Sequence, residues 1–80
     1  MRIRVETTDA LYDLLGGQEA VDLALADGAS PHDALAALSI TRGGGYLLLV
    51  NEAIVPKAQR DDYALVDGDV LQILPPLKGG

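Results

Sequence analysis

The sequence predicts an α+β fold, in which one main helix packs across a mixed β-sheet of about four or five strands. Short segments with alternating or continuous apolar residues, which are typical of strands, recur along the chain. Only one segment has a well-marked helix start, and it lies between the second and third predicted strands, so it must cross over the sheet. With 80 residues, 49% of them hydrophobic, the chain is expected to form a single domain over residues 1–80.

Two strands are predicted in the N-terminal half. Residues 2–6 alternate between apolar and charged side chains, which places Ile3 and Val5 on one face of a half-buried strand. Residues 21–25 alternate in the same way, and residues 27–28 form an Asp-Gly turn signal after them. Both strands are therefore expected to have one buried face.

Two helices are predicted, and the second has the better-marked start. Asp9–Leu15 has leucines at helical spacing, with Thr8 in the N-cap position. In the second helix, Ser30 is the expected N-cap, Pro31 is the first helical residue, and Asp33 completes a pattern like a capping box. We therefore expect the second helix to be the one that covers the sheet.

Three further strands are predicted in the C-terminal half. The apolar run of residues 46–50 indicates a strand near the centre of the sheet, whereas residues 54–55, which precede a proline, allow only an edge strand. Residues 57–65 are expected to form a loop with about one helical turn. An Asp-Gly turn at residues 67–68 then leads into the last strand, Val70–Leu74.

The composition excludes several classes of function. The chain has no cysteine, so disulfides, thiolate nucleophiles and cysteine metal sites are excluded, and its single histidine excludes multi-histidine metal sites. A net charge of −6 repels nucleic acids and anionic membrane surfaces. No apolar run approaches the roughly 20 residues that span a bilayer, and no signal peptide opens the sequence. We therefore expect a cytoplasmic protein with no nucleic-acid or membrane partner, no metal and no bound cofactor.

The residues that could carry chemistry within the domain favour ordinary structural roles. Residues 43–45 are three glycines, but no Gly-Lys-Ser/Thr sequence follows them, so a surface loop is favoured over a phosphate-binding loop. His32 has no evident partner and is expected to be exposed to solvent. The acidic pairs at residues 61–62 and at Asp67 and Asp69 lack the spacing of a calcium loop and are expected to be solvated. These residues do not indicate an enzyme.

The C-terminal segment is the most informative part of the chain. Pro75 and Pro76 fix φ and favour a stiff, extended exit from the last strand. Gly79 and Gly80 carry no Cβ, so they could pass through a channel too narrow for any other residue and deliver the terminal carboxylate of Gly80. The alternative is a frayed terminus with no function.

The outward face of the last strand is a candidate docking surface. If Leu71 and Ile73 point into the core, then Val70, Gln72 and Leu74 point outward. Residues 47–50 are all apolar, so some of their side chains must also face outward. We predict a partner-docking patch that continues into the tail, and scattered surface hydrophobic residues are the alternative. Its predicted members are Val70, Leu74, Pro75, Pro76, Leu77 and Lys78.

Three segments carry a resemblance to a known family. Residues 50–56 contain a Val-Asn motif, residues 66–70 contain an Asp-Gly-Asp turn, and residues 75–80 end in Gly-Gly. Together they resemble the ubiquitin-like sulfur carriers of the MoaD/ThiS family. Residues 11–17 followed by residues 27–30 are similar to the small subunit of molybdopterin synthase. The resemblance implies a β-grasp fold, in which the first and last strands lie parallel and adjacent at the centre of the sheet.

The resemblance also implies a function. An adenylating enzyme of the ubiquitin-activating type would use ATP to activate the Gly80 carboxylate, and Gly79 would give the tail access to the active site. A persulfide sulfur donor would then convert the carboxylate to a thiocarboxylate. The large subunit of molybdopterin synthase would be the partner that receives the sulfur. The chain itself would not be an enzyme, and at most it would be the non-catalytic subunit of that synthase.

Two alternatives remain open. Residues 54–60 look closer to the thiamine-pathway carrier, which would make a thiazole synthase the partner. A noncovalent ubiquitin-like interaction module, with an incidental tail, is the alternative from a different class. In most members of the family a Gly or Gln follows the asparagine, whereas here Glu52 follows Asn51.

Overall fold

The computed structural model describes residues 1–40 and 46–75, with the exception of the side chains of residues 9 and 10. The strands are β1 (Arg2–Thr7), β2 (Ala20–Ala24), β3 (Leu47–Val50), β4 (Ala53–Ile54) and β5 (Val70–Leu74). The α-helix α1 spans Pro31–Ala37, and two 3₁₀ helices span Asp9–Leu15 and Lys57–Gln59. No helix among these residues is long and apolar enough to cross a membrane. Residues 43–45 lie outside the described part of the chain, so their interpretation as a surface loop stays a prediction.

The five strands form one mixed sheet in the order β2-β1-β5-β3-β4. β1 and β5 run parallel, with Val5 opposite Leu71, and every other neighbouring pair is antiparallel. The side chain of Thr7 also donates a hydrogen bond of 2.7 Å from Oγ1 to the carbonyl of Ile73. The predicted parallel pairing of the first and last strands is confirmed, and the expected β-grasp fold with it.

The core lies on the inner face of the sheet. Alternation along β1 and β5 buries Ile3, Val5, Leu71 and Ile73, and the last three have no exposed surface. Burial of a side chain of this size contributes about 1.5–3 kcal/mol, so these four residues are a main source of stability. The remaining members of the apolar cluster are Leu15, Ala34, Leu35, Ile40, Leu48, Val50, Val55 and Leu65.

The helix α1 begins as the sequence predicts. Ser30 Oγ accepts a hydrogen bond from the backbone N–H of Asp33 at 3.2 Å, and Asp33 Oδ2 accepts one from the N–H of Ser30 at 2.9 Å. These reciprocal bonds form a capping box, and Pro31 is the first helical residue. The capping box fixes where the helix begins. The buried residues Ala34 and Leu35 face the core.

The first predicted helix has the predicted bounds but a different type. It is a 3₁₀ helix, and the N–H of Leu11 donates to the carbonyl of Thr8 at 2.8 Å. Thr8 is the N-cap residue, as predicted, although its side chain makes no capping hydrogen bond. The N–H of Leu11 is therefore satisfied by the backbone carbonyl of Thr8 and not by its hydroxyl. Gly16 ends the helix with a left-handed φ of 68°.

The strand boundaries differ slightly from the predicted ones. β1 includes Thr7, β2 spans Ala20–Ala24, and β3 begins at Leu47. The edge strand is Ala53–Ile54, and Val55 follows it with its side chain buried in the core and its N–H donating to the carbonyl of Leu48 at 2.9 Å. β3 lies between the central strand β5 and the edge strand β4, so the prediction of a strand near the centre of the sheet is confirmed.

Candidate functional site

The tail leaves the domain from the middle of the sheet. β5, the central strand of the five, ends at Leu74, and Pro75 follows it as an exposed residue. The other predicted tail residues lie outside the described part of the chain, so docking by this segment and activation at its carboxylate stay predictions. Those residues are Pro76, Leu77, Lys78, Gly79 and Gly80.

The outer face of β5 has the predicted alternation. Val70, Gln72 and Leu74 are half-buried, whereas the two residues between them have no exposed surface. The register with β3 places Leu47 opposite Leu74 and Leu49 opposite Gln72. Leu47 and Leu49 are also half-buried, because the other two side chains of β3 point into the core. The prediction that part of this apolar run faces outward is confirmed.

These outward side chains adjoin one another, and we refer to Leu47, Leu49, Ile54, Val70 and Leu74 as the apolar patch. Ile54 is opposite Leu49 on the edge strand and is 58% exposed. Neighbouring and diagonal positions on one face of a sheet lie about 4.5–8 Å apart, which is within reach of leucine side chains. The patch ends at Leu74, where the tail begins, and its role in docking a partner stays a prediction.

The other half of the outer face is charged. Arg4 on β1 lies opposite Val70, and its Nε is 2.7 Å from Oε2 of Glu6. The hydrogen bond from Arg4 to Glu6 raises the pKa of the Arg4 guanidinium, and the carboxylates of Asp22 and Glu19 raise it further. The outer face is therefore divided into the apolar patch on β3, β4 and β5 and a charged surface on β1 and β2, which carries the exposed arginines Arg2 and Arg4 beside acidic side chains.

The turn between β3 and β4 is tied to the start of β5 by Asn51. Its Nδ2 donates to Asp69 Oδ1 at 2.9 Å, and its Oδ1 accepts from the N–H of Val70 at 3.0 Å. Its own N–H donates to the carbonyl of Val70 at 2.8 Å. Asn51 and Glu52 have φ values of 51° and 72°, which are those of a type I′ hairpin turn. Asn51 therefore fixes a turn in which Glu52 is held in the left-handed region.

Asp69 has a structural role that the sequence did not indicate. It is 6% exposed, and besides the bond from Asn51 it accepts one from the N–H of Val66 to Oδ2 at 2.9 Å. Asp67 Oδ1 likewise accepts from the N–H of Arg2 at 2.8 Å. The expectation that these carboxylates are solvated is wrong for the buried Asp69, whereas Asp67 is exposed as expected and also accepts a backbone hydrogen bond. Within residues 1–40 and 46–75, no group of three or more acidic or histidine side chains could hold a metal ion.

A depression of about 310 Å³ adjoins the apolar patch. It is lined by Glu6, Asn51, Glu52, Val70 and Gln72. It lies where the apolar and charged halves of the outer face meet.

Two further ionisable residues, His32 and Arg60, lie away from this face. His32 is exposed, as expected, but its Nδ1 lies 3.6 Å from Asp61 Oδ1, so it has a partner that the sequence did not reveal. Arg60 is 8% exposed and donates a hydrogen bond from its guanidinium to the carbonyl of Tyr46. Burial lowers the pKa of Arg60. These contacts hold the loop before β5 against neighbouring segments, and they do not adjoin the outer face.

The comparison with family models gives one match. The model of the ThiS family matches residues 7–80, which include the whole C-terminal half of the chain. Among curated protein sequences, none is significantly similar to this chain.

Solved structures with low sequence identity have the same fold. Small archaeal modifier protein 1 from Methanosarcina acetivorans is 21% identical, with a TM-score of 0.74 over 99% of this chain and 96% of that one. The thiamine biosynthesis protein ThiS from Geobacter metallireducens is 19% identical, with a TM-score of 0.70 over 100% of both chains. A chain from the complex of subunits 1 and 2 of molybdopterin-converting factor from Helicobacter pylori is 22% identical, with a TM-score of 0.68 over 100% of both chains.

Proposed function

Because the chain belongs to the ThiS family of ubiquitin-like sulfur carriers, we propose that it carries sulfur as a thiocarboxylate on Gly80 for molybdopterin biosynthesis. The observation that carries the proposal is the family match, which extends to residue 80 and so includes the terminal Gly-Gly. The apolar patch supports the proposal, because it includes Val70 and Leu74 of β5, the strand from which the tail leaves. Small carriers of this type are generally not catalysts, and in this proposal the chain is the substrate of its partners in the cytoplasm.

The chemistry follows from the poor reactivity of a carboxylate. An adenylating partner joins the Gly80 carboxylate to the α-phosphate of ATP, and pyrophosphate leaves. AMP is then a good leaving group, so the terminal sulfur of a persulfide donor attacks the carbonyl carbon and displaces it. The product is an acyl disulfide, which joins the chain to the donor through a new carbon–sulfur bond and keeps the sulfur–sulfur bond of the persulfide. A second thiol attacks the donor's sulfur, forms a disulfide with the donor and releases the thiocarboxylate on the chain. In this scheme ATP is bound and consumed by the partner, and the chain needs no cofactor of its own.

In this proposal the chain binds two partners, one after the other. The first is the adenylating enzyme of the ubiquitin-activating type, and the second is the enzyme that takes the sulfur. The structural neighbour from Helicobacter pylori comes from a complex of two subunits of molybdopterin-converting factor, which suggests a large synthase subunit as the second partner. A thiazole synthase is the alternative, since a ThiS protein has a similar TM-score.

An acceptor assay tests the proposal and separates the two pathways. The thiocarboxylated chain is mixed with a molybdopterin-synthase large subunit and its precursor, or with a thiazole synthase and its substrates. We expect sulfur transfer, measured as loss of the thiocarboxylate by intact mass, only with the molybdopterin enzyme. Transfer only to the thiazole synthase would replace the first pathway with the second.

Deletion of Gly80 tests the alternative of a noncovalent module. A carrier without Gly80 loses all sulfur transfer, while the apolar patch and the fold are intact. Full biological activity of the deletion variant in a strain that lacks the chain would contradict the carrier proposal and favour the noncovalent module.

A further inference from the structure

We propose that the depression between Glu6 and Glu52 receives a lysine or arginine side chain of the adenylating partner, and that this contact sets the orientation in which the partner docks on the apolar patch. The inference rests on the proposed function, since it names the chemistry with which that partner would recognise the chain. It assigns a role in specificity to Glu52, which the fold does not require at this position.

The charge in the depression favours a cation. Arg4 bonds to Glu6 at 2.7 Å and so offsets one carboxylate, but Glu52 is a second acidic residue in the lining of the depression. Asp22 and Glu19 lie close enough to Arg4 to raise its pKa further. The four acidic residues Glu6, Glu19, Asp22 and Glu52 outnumber the two exposed arginines of β1, Arg2 and Arg4, so this part of the face is negative. The whole chain has a net charge of −6. A partner surface with a basic group at this point would be complementary to it.

The position of the depression connects it to the apolar patch. Val70 lines the depression and is also a member of the apolar patch. Gln72 lines the depression too, and it lies opposite Leu49 of the patch and two residues before Leu74. A partner that covers the patch would also exclude water from the mouth of the depression. Contacts between charges become stronger when surrounding apolar contacts exclude water, and arginine is common in such central positions. The volume of about 310 Å³ lies at the lower end of the range for ligand pockets, roughly 300–1,000 Å³.

Glu52 is presented on a rigid element. The turn that carries it is held to β5 by the hydrogen bonds of Asn51 with Asp69 and Val70. Because the backbone of this turn is already fixed, little conformational entropy is lost when a partner binds it. The contact therefore contributes to specificity as well as to affinity. The competing explanation is that Glu6 and Glu52 are solvated acids that only add to the general negative field.

A charge-neutral variant separates these explanations. The probe is the adenylating enzyme encoded in the same genome as the chain, and the dissociation constant is measured by calorimetry with the full chain at low and at moderate salt. We expect Glu52→Gln to weaken binding by about ten-fold at low salt and to reduce the salt dependence of binding. The melting temperature should not change, because the variant keeps the size and backbone of the turn.

Asp62→Asn is the matched control. Asp62 is exposed in the loop before β5, away from the outer face, and this variant removes the same charge. We expect it to change the dissociation constant by less than about two-fold. Equal weakening by the two variants would overturn the inference in favour of the general field.

The outcomes also separate this inference from the proposed function. If the enzyme adenylates the chain but binds Glu52→Gln as tightly as the natural sequence, only the contact at Glu52 is wrong. If the enzyme neither binds nor adenylates the natural sequence, the proposed function fails and the contact fails with it.

Discussion

Replacement of Glu52 by glycine should make the domain more stable. Glu52 has a φ of 72°, in the left-handed region, where the Cβ of an L-residue is crowded by the following carbonyl oxygen. Glycine has no Cβ and is the preferred second residue of a type I′ turn after asparagine. Glu52→Gly therefore removes a steric penalty while the hydrogen bonds of Asn51 continue to hold the turn.

The size of the effect follows from two opposing contributions. The left-handed conformation costs a residue with a Cβ roughly 1–2 kcal/mol. Glycine has more conformational freedom in the unfolded chain, which offsets about 0.4–1 kcal/mol of that gain. The side chain of Glu52 is exposed, so its removal loses little packing. The free energy of unfolding should rise by about 0.5–1 kcal/mol, and the melting temperature by about 2–8 °C.

Thermal and urea unfolding, followed by circular dichroism, measure this change. Ala53→Gly is the control, because it places the same residue at the next position, in the strand β4, where glycine should lower stability by about 0.5–1 kcal/mol. The two variants should therefore shift the melting temperature in opposite directions. A fall in stability for Glu52→Gly would refute the turn conformation and the account of why Asn51 is needed. A gain in stability with a loss of affinity for the adenylating enzyme would fit a residue kept for recognition.

Three further variants test the core, the turn network and the apolar patch. Ile73→Ala removes a side chain with no exposed surface and should lower the free energy of unfolding by about 2–5 kcal/mol, measured by urea denaturation. Asp69→Ala leaves Asn51 and the N–H of Val66 without their acceptor and should cost about 2–3 kcal/mol in the same assay, so a loss below about 0.5 kcal/mol would contradict the network. Leu74→Asp should weaken binding of the adenylating enzyme by about ten-fold or more while the melting temperature falls only slightly, and unchanged affinity would remove the patch from the docking surface.

Sequence reasoning succeeded where the determining interactions are local. The capping box of Ser30 and Asp33 spans three residues, so its pattern can be read directly along the chain. Alternation gave the inward and outward faces of β1 and β5, because side chains in a strand follow a period of two. Apolar spacing could not distinguish an α-helix from a 3₁₀ helix at Asp9–Leu15, since leucines at these positions make a buried stripe on either.

The residues that were missed depend on distant partners. The acceptor role of Asp69 towards Asn51 joins positions 18 apart, and the contact of Arg60 with the Tyr46 carbonyl joins positions 14 apart. The local sequence Asp67-Gly68-Asp69 does not indicate that the side chain of Asp69 is buried against the turn at Asn51. The candidate site was anticipated on β5, but the depression was not, because it forms only when β1 and the turn at Glu52 are brought to the two sides of β5.

The most direct test of the account is the intact mass of the chain after incubation with its adenylating enzyme, ATP and a persulfide donor. We predict the exchange of one oxygen for one sulfur, located in the C-terminal peptide. Gly79→Ala should give no product, because a Cβ beside the bound nucleotide would block access, and an extension by one residue after Gly80 should also give none. Lys78→Ala should still be converted, because its side chain is not needed at the reacting carboxylate. Sulfur at any other position, or full conversion of the extended chain, would contradict the claim that Gly80 carries sulfur.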